Sequence, residues 1–221
     1  MKKRNKIITI AIDSPAAAGA GTQSKLIAKE YNLLYLDTGK IYRYIGKLKL
    51  ESKIFNYKVV KEKINNLKLK DLNKKNLLSD HIAKSASIIA KDKKIRKIVT
   101  QFQKNCAYNP PRRFSGSVLD GRDITSVIMK DAMIKLYITA SLGVRAKRRF
   151  LEFKKFGKKL SYNSVLKSLR NRDNLDKNRT YSPLKKTKDS ILINTSKLSK
   201  KACFYKIKSI IDKKLKINGI L

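Results

Sequence analysis

Five short apolar runs, at 7–12, 33–36, 117–119, 134–138 and 191–193, are separated by stretches long enough to form helices. That alternation restricts the fold more than any other feature of the chain. Each run is brief and mostly apolar, without clean inside–outside alternation, as strands are when helices cover both faces of their sheet. Between the runs, 22–31 carries Leu26, Ile27 and Tyr31 at helical spacing. The 82–107 stretch is long, with Ile88, Ile89, Ile95, Ile98, Val99 and Phe102 on one side and a break expected near Lys91 and Asp92. Residues 142–156, 163–171 and 199–215 read as further helices, the last with Phe204, Ile207, Ile210 and Ile211 on one face. Strands alternating with helices predict a doubly wound α/β fold with a parallel sheet and right-handed crossovers. Ligands of such sheets bind beyond the carboxyl ends of the strands. The residues that follow each apolar run are therefore the first candidates for function.

Length and composition exclude several classes. A chain of 221 residues suffices for one domain, 1–221, with a sizeable core. No apolar run approaches the ~18–20 residues that cross a bilayer. The 7–12 run is too short for a signal-peptide core and stops at Asp13, so a cytoplasmic protein with no membrane partner is expected. Cys106 and Cys203 stand far apart without disulfide or zinc spacing, and the single histidine, His81, reads as a helix-surface residue. Fifty-four Lys and Arg against sixteen Asp and Glu give a net charge of +38, which attracts polyanions. Nucleic-acid binding is one reading of that charge; an enzyme with a lysine-rich surface is the other. Lysine is spread along the whole chain, with no basic strip interleaved with aromatics of the kind that binds single strands. The distribution favours the enzyme, with no obligate nucleic-acid partner. Residues 52–80, polar and rich in Lys and Asn, read as a small peripheral insertion, and 148–182, dense in Lys and Arg, as a mobile lid with the helix behind it.

After the first strand runs Asp13-Ser14-Pro15-Ala16-Ala17-Ala18-Gly19-Ala20-Gly21-Thr22, and then a helix. Tiny side chains between a strand and a helix allow backbone N–H groups to converge on an anion, with the helix N-terminus adding its positive end. Thr22 sits where a hydroxyl would ligand Mg²⁺. The match to the phosphate-loop pattern G-x-x-x-x-G-K-[ST] is incomplete, because Ser14 stands at the first glycine and Ala20 at the lysine. Three further segments lie beside predicted strand ends or the lid: Asp37-Thr38-Gly39-Lys40-Ile41-Tyr42-Arg43, Asp120-Gly121-Arg122-Asp123, and Arg172-Asp173-Asn174-Leu175-Asp176-Lys177-Asn178-Arg179. An arginine placed just past a strand end is a candidate for phosphate binding, because guanidinium forks onto two oxygens and stays ionised. Tyr35 and Tyr42 read as packing residues.

In the order and separation of these elements, from about residue 7 to residue 215, the chain resembles the bacterial cytidylate kinases. The resemblance implies a P-loop NTPase-type five-stranded parallel sheet flanked by helices, with a short insertion on the nucleoside-monophosphate side and a helical lid. It also implies phosphoryl transfer from ATP to CMP or dCMP, with Mg²⁺, in a monomer. On that resemblance Thr38, Arg43, Arg96, Arg122, Asp123, Arg172, Asp176 and Arg179 hold the acceptor nucleotide. The 14–22 loop holds ATP together with Arg148 and Arg149, and Arg122, Arg172 and Arg179 assist the transfer. Asp123 and Asp176 would accept from the cytosine amino group or the sugar hydroxyls. The family's small three-stranded sheet does not fit the short, polar 52–80 segment. Loss of one loop cation removes charge stabilisation worth on the order of 10²–10³ in rate. Three outcomes follow: an impaired nucleotide-binding relative, a slow enzyme, or a charge supplied from elsewhere, for which Lys40, following Thr38 and Gly39, is the expectation.

Overall fold

The computed structural model describes residues 7–157 and 159–220, so residues 1–6, 158 and 221 of the expected domain and lid lie outside it. Five strands form one sheet in the order β2-β3-β1-β4-β5: β1 (Ile8–Asp13), β2 (Leu33–Asp37), β3 (Gly116–Gly121), β4 (Ile134–Thr139) and β5 (Ile191–Asn194). Each neighbouring pair is parallel. β1 lies at the centre and is buried along its whole length, which explains why its sequence is apolar without alternation. On one face, Ile10, Ile12, Val118, Leu136 and Ile193 pack against α1 (Ala20–Glu30) and α8 (Lys200–Ile217) through Ile27, Ile207 and Ile211. On the other, Ala11, Leu36 and Leu119 meet α2 (Thr38–Glu51), α3 (Tyr57–Asn65), α4 (Asp80–Ile89) and α5 (Lys93–Tyr108).

The expected break in the 82–107 helix occurs at Asp92. Its carboxylate accepts from Lys94 N at 2.8 Å and Ile95 N at 3.0 Å and so starts α5 anew. Ile88, expected on the apolar side, is instead exposed, since the break turns α4 relative to α5. The insertion also differs from expectation. Among the described residues, 52–80 holds no strand, but α3 and two 3₁₀ turns. It is less peripheral than its polarity implied, because Val60, Ile64, Leu67, Leu72 and Leu77 are buried, most of them in the core that α2 and α5 share. The stretch expected as a lid holds a helical pair, α6 (Leu142–Lys155) and α7 (Tyr162–Asn178), packed together through Ala146, Val165 and Leu169. α7 runs past the expected end at 171, because Leu184 N caps Asp176 O only at its final turn (2.7 Å). Among the described residues no helix is long and apolar enough to cross a membrane.

Candidate active site

The loop after β1 is anchored at three points, two of them its own carbonyl groups. Arg145 Nη1 donates to Ala16 O (3.1 Å), Thr195 Oγ1 donates to Ala18 O (3.0 Å), and Ser14 N donates to Gly121 O (3.1 Å). Those three bonds fix the loop between α6, the turn after β5 and the end of β3. Ala17 and Gly19 both take positive φ (61° and 95°), the left-handed turn that builds an anion-binding concavity. Glycine adopts this conformation freely, whereas for Ala17 it costs about 1 kcal/mol or more, strain of the kind stored at binding sites. Arg145 is fixed in turn by a two-pronged pair with Asp173 of α7 at 2.6 and 3.1 Å, so α7 and the loop share one buried guanidinium. A cleft of about 410 Å³ opens over the loop, lined by Ala17, Gly19, Thr22, Arg148, Arg149 and Thr195, among others.

The strand ends beside the loop carry the charged groups. Asp13, fully buried, accepts from Ile124 N (2.7 Å), Thr125 N (2.9 Å) and Thr125 Oγ1 (2.6 Å), tying the end of β1 to the π-helical turn Ile124–Ile128. Burial pushes its carboxyl up to about 6 in spite of those donors. Thr38 Oγ1 donates to Asp120 O (2.7 Å), and Tyr35 OH donates to Asp120 Oδ2 (3.0 Å). Burial first, and then the neighbouring Asp37, raise the Asp120 carboxyl above its usual range. Tyr35 packs against the core as expected and adds a hydrogen bond to Asp120, while Tyr42 is core, with Arg96 over its ring.

The expected acceptor-binding residues form a connected network. Arg96 bonds Asp123, Arg179 Nη2 lies 3.7 Å from the other Asp123 oxygen, Arg179 Nη1 lies 4.0 Å from Asp176 Oδ1, and Arg122 Nε donates to Asp176 Oδ2 (2.7 Å). Arg172 completes it. Its Nε is buried with no hydrogen-bond partner. Burial, and then the positive charges of Arg122, Arg43 and Arg149, push its guanidinium down to about 10. Burial works to raise the Asp176 carboxyl too, but Arg122, Arg172 and Arg179 overcome it and hold the group below its ordinary value. Arg43 Nη1 donates to Leu77 O (2.9 Å), linking the site to the insertion. This arrangement is an excess of forked cations around two carboxylates, short of negative charge until an anion arrives.

Two of the expected site cations have partners of their own here. Lys40 Nζ donates to Asn73 Oδ1 (3.0 Å), so its ammonium fastens α2 to the insertion. Its strand, β2, is two places from β1 in the sheet, about 10 Å at normal strand spacing, and nothing draws the lysine to the loop. Arg149 pairs with Glu152 (2.8 Å) and stacks on Phe153 (4.3 Å), whereas Arg148 lies against the loop itself. Residues that sequence reasoning missed are Asp13, Tyr35, Asp120, Arg145, Asp173 and Thr195. A buried charge at a strand end was the available signal for Asp13 and Asp120.

Comparison with known proteins decides the family. A family model described as cytidylate kinase matches residues 10–213. The chain belongs to the cytidylate kinase family. Similar curated relatives include the cytidylate kinase of Bartonella tribocorum, 42% identical with 97% of this chain and 99% of that one covered. The cytidylate kinases of Agrobacterium fabrum (40%; 94% and 98% covered) and Clostridium botulinum (36%; 93% and 98%) are also similar. Among solved structures, an uncharacterised protein from Eubacterium ventriosum superposes with a TM-score of 0.56 at 18% identity, covering 93% of this chain and 98% of that one, a likeness of fold.

Proposed function

We propose that the protein transfers the γ-phosphoryl group of ATP to CMP or dCMP, giving ADP and the cytidine diphosphate, as a cytoplasmic monomer. One observation carries the reading. Arg172, whose Nε is buried without a hydrogen-bond partner, lies in the field of Arg43, Arg122 and Arg149, in a cluster that includes Arg122 at the carboxyl end of β3. An oxygen of the acceptor phosphate forms the new bond to the γ-phosphorus as the bond to the β–γ bridging oxygen breaks. The acceptor oxygen is already anionic, so no base is needed, and the work falls to positioning and charge neutralisation. Arg122, Arg172 and Arg179 hold the transferring and acceptor phosphates. Asp123 and Asp176 keep lone pairs beyond their arginine contacts with which to accept from the cytosine amino group and the sugar.

Among the described residues no cluster of three or more His, Cys, Asp or Glu could hold a metal by itself. That suits Mg²⁺, which binds one or two protein oxygens and takes the rest of its shell from phosphates and water. The exposed Thr22 hydroxyl on the cleft wall would hold it. When bound, the ion supplies further neutralisation of the donor phosphates.

A coupled ADP-release assay across the nucleoside monophosphates, with and without Mg²⁺, tests this. Saturable turnover with CMP or dCMP is expected. Ala20 in place of the loop lysine supports one second reading, an impaired relative, which predicts CMP binding by calorimetry with no ADP released.

A further inference from the structure

A phosphate loop without its lysine still has to neutralise the donor's triphosphate, and, beside Arg145 with its Asp173 partner, the cation that sits on this loop is Arg148. A Cβ built on Gly19 would lie 4.0 Å from Arg148 Nη1, which puts the guanidinium against the loop backbone one residue from Ala20. Its orientation is fixed twice: Nη1 donates to Thr195 Oγ1 (2.8 Å) and Nη2 to Thr195 O (2.7 Å). The Thr195 hydroxyl in turn donates to Ala18 O, so arginine, threonine and loop form one hydrogen-bonded chain. Among the described residues no carboxylate pairs with Arg148, unlike Arg149, Arg122, Arg145 and Arg179, each of which has an acidic neighbour. A cation stabilises charge in a transition state only if it is already in place and not neutralised by a partner, and Arg148 meets both conditions.

We infer that Arg148, keyed to the loop through Thr195, supplies the positive charge that lysine supplies in a complete phosphate loop and binds the donor's phosphates rather than its base. The inference rests on the proposed kinase reading for its role in turnover, but phosphate binding is measured apart from turnover. The cation reaches the loop from α6, the helix that enters the lid, rather than from α1 itself.

Inorganic tripolyphosphate, which has phosphates and no base, is the probe, titrated calorimetrically against the folded chain and its variants. Arg148→Gln removes the charge while keeping an amide that can still bond Thr195, and is expected to weaken tripolyphosphate binding at least tenfold. Arg148→Lys, which keeps the charge, should retain most of the affinity and guards against a folding defect in the first variant. Lys40→Ala should bind tripolyphosphate as the native chain does. In the turnover assay Arg148→Gln should lower kcat by about 10²-fold, and adding Ala20→Lys should restore at least tenfold of that. Ala20→Lys with Arg148 intact should change kcat far less. Unchanged tripolyphosphate binding in Arg148→Gln overturns the inference, as does an Ala20→Lys effect equal in both backgrounds or a loss of binding in Lys40→Ala. A native chain that binds tripolyphosphate through Arg148 but phosphorylates no nucleoside monophosphate overturns the kinase reading and leaves the assignment of Arg148 standing.

Discussion

Asp13 shows how a single buried carboxylate can assemble a site without touching a substrate. Three donors from Ile124 and Thr125 converge on it, so the turn that follows Arg122 and Asp123 is fixed to the end of β1 and hence to the start of the phosphate loop. The folded protein holds the Asp13 proton with a pKa of about 6, against 3.8 for the free side chain. Folding therefore favours the protonated form. The group's contribution to stability is fully present below pH 3.8, and it is lost as the pH rises through about 6. The shift corresponds to about 3 kcal/mol. Asp13→Asn, which cannot titrate, should lack this trend. Denaturant unfolding of both proteins at pH 4, 5, 6 and 7 should show the native chain losing about 2 kcal/mol of that relative to Asp13→Asn across the window. A constant difference between the two would mean that the three donors fully offset the burial of the charge.

Helix packing carries the same logic from residues to elements, most tightly where α2 crosses α4. A Cβ at Gly46 would meet Ala86 N at 2.9 Å and Ile82 O at 3.2 Å, both backbone atoms that cannot rotate aside, and Ser85 Oγ donates to Gly46 O at 3.1 Å. Gly46→Ala should push α4 away from α2 at a cost of about 1–3 kcal/mol. The carbonyls that hold Arg43, Leu77 O and Ser79 O, lie just before α4, so the shift reaches the acceptor side first. Kinetics should then show a raised KM for CMP with KM for ATP nearly unchanged, alongside a lower melting temperature; equal changes in both would place the coupling elsewhere. Elements of this kind were only partly legible in the sequence. The five strands could be read because each holds a short, mostly apolar run, in β1 buried along its whole length, and Arg122 because it follows a strand end directly. The helical insertion was hidden by the lysines and asparagines around Val60, Ile64 and Leu67, which blur its period. The contacts that arm the site join residues far apart: Asp13 and Ile124 are separated by 111 positions, Ala18 and Thr195 by 177. No local spacing encodes such pairs. The Lys40 contact is of the same kind, since its partner Asn73 lies in the segment whose structure the pattern did not show.

At the scale of the whole molecule the net charge of +38 becomes a term in stability. Of only sixteen acidic residues, Asp13, Asp37, Asp120, Asp123, Asp173 and Asp176 stand at strand ends or in the site, where the last three pair with arginines. The outer surface is therefore still less balanced than the total, and its lysines repel one another in the compact state. Added salt screens that repulsion, the Debye length being about 10 Å at 0.1 M and shorter above it. The melting temperature should rise with NaCl between 20 and 300 mM, by about 2–4 °C for each kcal/mol of repulsion relieved in a chain of this size. Sulfate at matched ionic strength adds a second effect if it also occupies the cluster around Arg172. That increment should vanish once CMP saturates the site, while the NaCl effect should persist. A melting temperature that stays flat or falls with NaCl would mean that local ion pairs such as Lys208 with Glu30 and Asp212, rather than unbalanced lysines, govern the surface. A sulfate increment that survives saturation with CMP would mean that the sulfate binds away from the acceptor cluster.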